Sequence, residues 1–385
     1  MNFTTAISRR DFLHLSAAAA LGGTLAACTH PGFAALPGEP TATEKAVRAL
    51  YNSLSDAQRR EICFPWDYRV DIRYARKPLT VADPNGILLR THVSNAWLIT
   101  KHLIGGPFFT DDQRELIMDV LRAILDPGWP EKLVQQAIDD TGKPWGADQS
   151  IAIFGTPDSG RCQCVITGFH LTLRAGYDPD ARAAFGGAIS HGHQPSGFYE
   201  KPGHPGNIFW HQAAVANRVY EILDGKQRTQ ALYTGRLPYL VPPGARDLPV
   251  DKTAIDRSLI KANTPRDDTR EPEIRFRRTS EIPGLPVSDM STDQREAVQK
   301  VLQSLVAPYR PEYRTQILAC LKKQGGVEAC RLTFYQQKDL GGDGVWDNWR
   351  LEGPSFVWFF RGTPHVHIWI HVADDSSAPV SSYFG

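Results

Sequence analysis

The chain is 385 residues long and carries 43 Lys+Arg against 42 Asp+Glu, a formal charge of +1. That balance argues against a nucleic-acid-binding face or a polybasic membrane patch. The length suits one large domain or two modest ones, and no internal apolar run is long enough to span a bilayer.

At the N-terminus, Ser8-Arg9-Arg10-Asp11-Phe12-Leu13 has the residue types and spacing of a twin-arginine export signal. The small-residue apolar run at 15–27 is too short for a membrane span. Leu25-Ala26-Ala27-Cys28 then has the form of a lipobox, with Cys28 the lipidated first residue after cleavage. An ordinary Sec signal containing two arginines is the competing reading. Thr29, not Asp, follows the cysteine, so retention at the inner membrane is not signalled. The expectation is a signal peptide over residues 1–27, a flexible linker over 28–40, and a lipoprotein anchored on the periplasmic face of a bacterial envelope. Removing 1–27, with Arg9, Arg10 and Asp11, takes the formal charge to 0. A twin-arginine substrate gains its final fold, or its metal or cofactor, before export, which raises the expectation of a metalloprotein.

Four helix starts share one pattern: Ser55-Asp56-Ala57-Gln58-Arg59, Thr110-Asp111-Asp112-Gln113-Arg114, Asp224-Gly225-Lys226-Gln227-Arg228 and Ser291-Thr292-Asp293-Gln294-Arg295. Each reads as a capping box, in which the first side chain accepts from the amide three residues on and the Gln reaches back. An old duplication and convergent capping explain the recurrence equally well. The second start opens the clearest helix: Leu116, Ile117, Val120, Leu121, Ile124 and Leu125 form one apolar stripe, stopped by Asp126-Pro127-Gly128.

Strand patterns follow. Residues 150–154 are short and apolar, ended by Gly155-Thr156-Pro157, and 162–174 alternate as one strand with Gly168, His170 and Thr172 on its polar face. Ser190-His191-Gly192-His193-Gln194-Pro195 and His204-Pro205-Gly206-Asn207 read as a loop. With Phe198, Tyr199, Phe209 and Trp210 nearby, it looks like a substrate lid or a second metal-binding element holding His191, His193 and His204. A merely polar surface loop is the alternative. Residues 241–290 form a Pro- and charge-rich excursion. Residues 331–337 and 356–360 are further strands. The expected fold is α+β: a central antiparallel or mixed sheet packed by capped helices, in one domain over 41–385 with the excursion laid across it.

Besides Cys28 the chain has Cys63, Cys162, Cys164, Cys320 and Cys330. Cys320 and Cys330 flank a Lys-Lys-Gln-Gly-Gly turn, so a disulfide is expected there. Cys162 and Cys164 share a strand face and are too far apart for an easy mutual bridge. One could pair with Cys63, or both could serve a soft metal.

The last strand is the most informative. In His365-Val366-His367-Ile368-Trp369-Ile370-His371-Val372 the period of two puts Val366, Ile368, Ile370 and Val372 on one face and three histidines with Trp369 on the other. Same-face residues lie ~6.6 Å apart, so His365 and His367 can share one metal ion at about 2 Å each. His371, ~13 Å further along, cannot. His170 is the natural third ligand from across the sheet, and Asp347 and Glu352 are candidate carboxylates to fix a ligating ring. Asp339-Leu340-Gly341-Gly342-Asp343-Gly344 lacks the ligand spacing of a calcium loop. No Gly-x-Ser-x-Gly elbow, P-loop or dinucleotide fingerprint is present.

Ser55 to Arg59, Phe64-Pro65-Trp66-Asp67, Phe154-Gly155-Thr156-Pro157, Gly168-Phe169-His170-Leu171 and Pro364-His365-Val366-His367 together resemble the bacterial domain of unknown function 3500 family, over most of the chain. That family shows Gly-His-His-Leu where Phe169 stands here, and a terminal Asp-Tyr-Gly of which Ser382-Tyr383-Phe384-Gly385 is a loose echo. The resemblance implies His170, His365 and His367 as shared histidines and supplies no reaction. The reading that follows is a lipid-anchored, periplasm-facing metalloenzyme acting on an unidentified small molecule, with one copper, iron or zinc ion. Oxidative chemistry is favoured over hydrolysis. A non-catalytic metal-handling lipoprotein, and a structural envelope protein with incidental histidines, are the alternatives.

Overall fold

All four capping boxes form as the sequence dictates, and a fifth, Thr41 with Glu44, opens the first helix. The computed structural model describes residues 40–70, 82–157, 159–177, 182–193, 207–235, 274, 276–337, 339, 345–362 and 365–381. The export motif, Cys28, His204 and most of the 241–290 excursion lie outside the described residues. Every described residue falls within one unit spanning 33–385. Among the described residues no helix is long and apolar enough to cross a membrane.

The first half of the chain runs α1 (Ala42–Ser53), α2 (Asp56–Ile62), β1 (Cys63–Phe64), a small β2–β3 pair (Arg69–Val70, Ile87–Leu88), α3 (Asp111–Ile124), α4 (Trp129–Thr141), then β4 (Gln149–Thr156), β5 (Arg161–Gly168), β6 (Leu171–Tyr177) and β7 (Ile189–His193). The second half repeats that order. It runs α5 (Trp210–Glu221), α6 (Gly225–Ala231), β8 (Leu232–Tyr233), β9 (Leu285–Pro286), α7 (Thr292–Val306), α8 (Pro311–Lys323), then β10 (Arg331–Tyr335), β11 (Asn348–Gly353), β12 (Phe356–Arg361) and β13 (Val366–Val372). One mixed sheet holds both halves in the order β1-β4-β5-β6-β7-β13-β12-β11-β10-β8, with β9 beside β10. The fold is the expected α+β class.

This order reads the same from either end, with β7 and β13 antiparallel at the centre and the parallel pairs β1–β4 and β8–β10 at the two rims. Contacts repeat as well. The Gln58 and Gln113 side-chain amides bond each other reciprocally at 2.8 and 3.0 Å, as do those of Gln227 and Gln294 at 3.0 and 2.8 Å. Arg59 Nε donates to Tyr51 O, and Arg228 Nε donates to Tyr220 O. The recurring cap therefore belongs to an internal structural repeat rather than to convergence alone.

Helices cover one face of the sheet. Ile117, Val120, Leu121 and Ile124 of α3 pack with Val298, Val301 and Leu305 of α7 and with Ile151, Ile153, Val366 and Ile368 of the strands, each buried side chain stabilising by about 1.5–3 kcal/mol. On the other face Leu89, Trp97 and Ile99 lie over Ala152, Phe154 and Val165 in the first half, and Ile274 packs with Tyr335, Phe359 and Trp369 in the second.

Three expectations need correcting. Residues 162–174 are two strands, not one, because the chain reverses at Phe169-His170 and pairs Gly168 with Leu171; His170 adopts a left-handed φ of 57° to make that turn. The His191/His193 segment is a strand, not a loop. Cys320 and Cys330 are free and buried rather than bridged. The Cys330 sulfur accepts from Gln324 Nε2 at 3.2 Å, while Cys320 faces the backbone of Ala184.

Candidate metal centre

His367 projects from the face of β13 opposite Val366 and Ile368, which belong to the helix-side core. His365 immediately precedes the strand. Their ring centroids are 4.4 Å apart, and His170 lies 5.0 and 4.9 Å from them. One nitrogen from each ring lies within 4.8 Å of the others. His371 stays away, as the strand period requires: its Nδ1 donates to Ile274 O at 3.0 Å and its ring stacks on Phe276.

His170 reaches this point across β7. Gly192 N donates to His170 O at 3.0 Å, and Gly192 is also the register partner of His367. The strand residue between the two imidazoles thus has no side chain. A Cβ there would stand 2.5 Å from Val366 O and 3.2 Å from His367 Cδ2, so glycine is the residue that lets the rings approach.

A buried carboxylate supports the cluster. Asp140 sits in the last turn of α4, which ends at Gly142 with φ 67°. A negative charge there opposes the helix dipole, and its compensation is two imidazoles. Oδ2 meets His170 Nδ1 at 2.6 Å and Oδ1 meets His193 Nδ1 at 2.9 Å. Burial alone would raise the Asp140 carboxyl, but the hydrogen bonds from His170 and His193 carry it down to about 2. With Nδ1 committed, Nε2 is the nitrogen His170 has left for a metal, the carboxylate–histidine–metal arrangement. His193 is wholly buried, and among the described residues its Nε2 has no hydrogen-bond partner.

Arg361 fixes the third ring, its Nη2 donating to His367 Nδ1 at 2.6 Å. A neutral His367 then carries its proton on Nε2, 2.5 Å from His365 Nε2, so for Nε2 to ligate an ion that proton would have to move to Nδ1 and the Arg361 donor turn away. Two imidazole nitrogens that close need a proton or a cation between them, since their lone pairs repel. Burial, then His170 and Arg361, pushes His365 down to about 2. Burial, then Arg361, holds His367 well below its ordinary value. Both rings are therefore neutral at pH 7, the form that ligates metals. Phe169, 4.0 Å from the His170 ring, and Trp369, 5.1 Å from the His367 ring, wall the cluster.

The structure thus gathers His170, His365 and His367 and adds His193, Asp140, Gly192 and Arg361. His191 turns to the helix side, where it bonds Tyr309 Oη at 2.9 Å and packs on Phe209, and burial pushes it down to about 3. The carboxylate bonded to the histidines is neither of the two expected ones. Glu352 is committed to Arg277 at 2.8 and 2.6 Å. Asp347 binds Asp339 Oδ1 and Gly362 N through its own backbone. Asp140 takes their place. Its only trace in the sequence is an acid two residues before a helix-ending glycine, the wrong end for a carboxylate. The repeat does not reproduce the site. Ala373 N donates to Ser355 O as Gly192 N does to His170 O, so Ser355 and Asp374 occupy the places of His170 and His193. There Asp374 pairs with Lys323 at 2.7 Å.

Fold and site together define an internally repeated α+β protein with a largely buried histidine cluster at one end of its central strand pair. The chain belongs to the family described as "Protein of unknown function (DUF3500)", whose model matches residues 38–372. No curated protein and no solved structure matches the chain.

Proposed function

We propose that this chain is a metalloenzyme of the bacterial cell envelope, holding one transition-metal ion through His170, His365 and His367. The observation that carries this is the convergence of three imidazoles on one point, with Asp140 turning one of them. Three borderline nitrogen donors fit copper, iron or zinc and leave a position for substrate. Bound there, the ion supplies Lewis-acid or one-electron chemistry. The chain's own contribution is orientation and shelter: Asp140 sets His170, Gly192 keeps the approach open, and Phe169 and Trp369 wall the cluster.

We favour oxidative chemistry with copper or iron, on the aromatic walls and the export route read from Arg9 and Arg10; zinc-dependent hydrolysis is the alternative. A metal-handling role is less favoured, because Cys162 and Cys164 lie in the helix-side core and His191 is held by Tyr309. Attachment through a lipidated Cys28 is part of the same proposal. The test is elemental analysis of protein purified through its native export route, followed by electron paramagnetic resonance. Type-two copper or high-spin iron selects oxidation and zinc selects hydrolysis, whereas metal-free protein that cannot be reconstituted ends the proposal.

A further inference from the structure

The sheet face that carries His367 continues into a group of buried donors that the metal centre does not use. Arg350 on β11 is wholly buried, and among the described residues neither its Nη1 nor its Nη2 has a hydrogen-bond partner. Its Nε lies 3.2 Å from Glu352 Oε2, but Glu352 is already held by both nitrogens of an Arg277 fork. A buried guanidinium with two idle nitrogens is costly unless an anion meets it. Trp369 Nε1 and His371 Nε2, on the same face, are buried without partners too.

The repeat supplies an internal control. Gly168 and Gly353 each close a strand hairpin, opposite Leu171 and Phe356. Three residues before each glycine stand Val165 and Arg350. Val165 sits in an apolar patch with Ala152, Phe154 and Trp97, so the fold can fill this place with hydrocarbon. The second half, which also bears His365 and His367, instead carries a cation there. Arg361 pairs with His367 across β12–β13, and Arg350 pairs with Phe359, one strand further and two residues along. Strand geometry puts the Arg350 and His367 backbones roughly 12 Å apart, and the long Arg350 side chain shortens that gap.

We infer that Arg350 is the substrate anchor of the metal centre and binds the carboxylate of a small organic acid whose other end reaches the ion. The planar fork of Arg350 suits bidentate capture of a carboxylate, and the unpaired Trp369 Nε1–H adds a neutral donor. Ile274 O and the Phe276 ring contact His371 on this face. The inference rests on the metal-centre reading for the far end of the substrate, but not for the anchor itself.

The test is thermal unfolding of the full chain, metal-free and metal-loaded, in succinate against chloride at matched ionic strength. Succinate raises the wild-type midpoint by several degrees; Arg350→Met abolishes the shift, and Arg350→Lys, which keeps the charge but loses the fork, retains less than half of it. If Arg350→Met fails to fold, the lysine variant decides. Equal shifts in wild type and the folded Arg350 variants, or no shift in wild type, overturn the anchor. The His365→Ala/His367→Ala double variant separates the two readings: it keeps the Arg350-dependent shift in metal-free protein. Failure of wild type to bind metal while that shift persists would sink the metal centre alone.

Discussion

Asp140 Oδ2 stands 2.6 Å from His170 Nδ1, so a helix end and a strand hairpin thirty residues apart are tied at the candidate centre by one hydrogen bond. The other oxygen holds His193, and an amide at this position has one acceptor for two rings. Asp140→Asn is expected to weaken metal binding about 10–100-fold, read by competition with a chromophoric chelator. Unchanged affinity would show that Asp140 serves the fold only.

Gly192 is the second point of sensitivity. An alanine Cβ meets Val366 O at 2.5 Å, which is backbone and cannot turn away. Gly192→Ala should cost about 1–3 kcal/mol and displace His367, measured by urea unfolding and metal content. A variant with native stability and full metal would contradict the geometry.

On β13 the two faces should separate cleanly. Ile368→Asp buries an unpaired charge in the helix-side core and should unfold the protein. His371→Ala should keep its metal and lose about 1–3 kcal/mol, because it gives up the bond to Ile274 O and the stack on Phe276. Loss of metal in folded His371→Ala would place that ring in the centre after all.

Acid should destabilise the metal-free fold through buried histidines outside the cluster, among them His92 and His371. Burial, then Arg174, pushes His92 down to about 3, and burial, partly offset by the bond to Ile274, pushes His371 down to about 4. Both folded values lie below the ordinary value near 6.5, so the unfolded chain takes the proton first. Stability is full above about pH 6.5 and falls as pH drops toward 4 and then 3, by about 2 kcal/mol per group at pH 5. Unfolding free energies from pH 8 to 4 check this, with His371→Gln expected to flatten the curve. An identical pH profile in His371→Gln would refute the assignment.

The parts of this molecule legible in the sequence are those set by short-range physics. The capping boxes needed only a side chain and the residue three places on, and the alternation of 366–372 needed only the pleat. The hairpin at His170 was hidden because 162–174 alternates without a break, and the residue that takes the left-handed turn is not a glycine. Strand β11 was missed because Arg350 and Glu352 are charged yet wholly buried as ion-paired groups, which breaks the apolar pattern that marks a strand. Asp140 could not be assigned to the centre because its partners are thirty and fifty-three residues away. The repeat was visible only in its caps, since its halves differ in spacer length and in nearly every site residue.

The most direct measurement is metal stoichiometry in wild type and in the His365→Ala/His367→Ala variant, with circular dichroism confirming that both are folded. The account predicts one transition-metal ion per wild-type chain and none in the variant. Full metal occupancy in the folded double variant would contradict it and move the centre away from His170, His365 and His367.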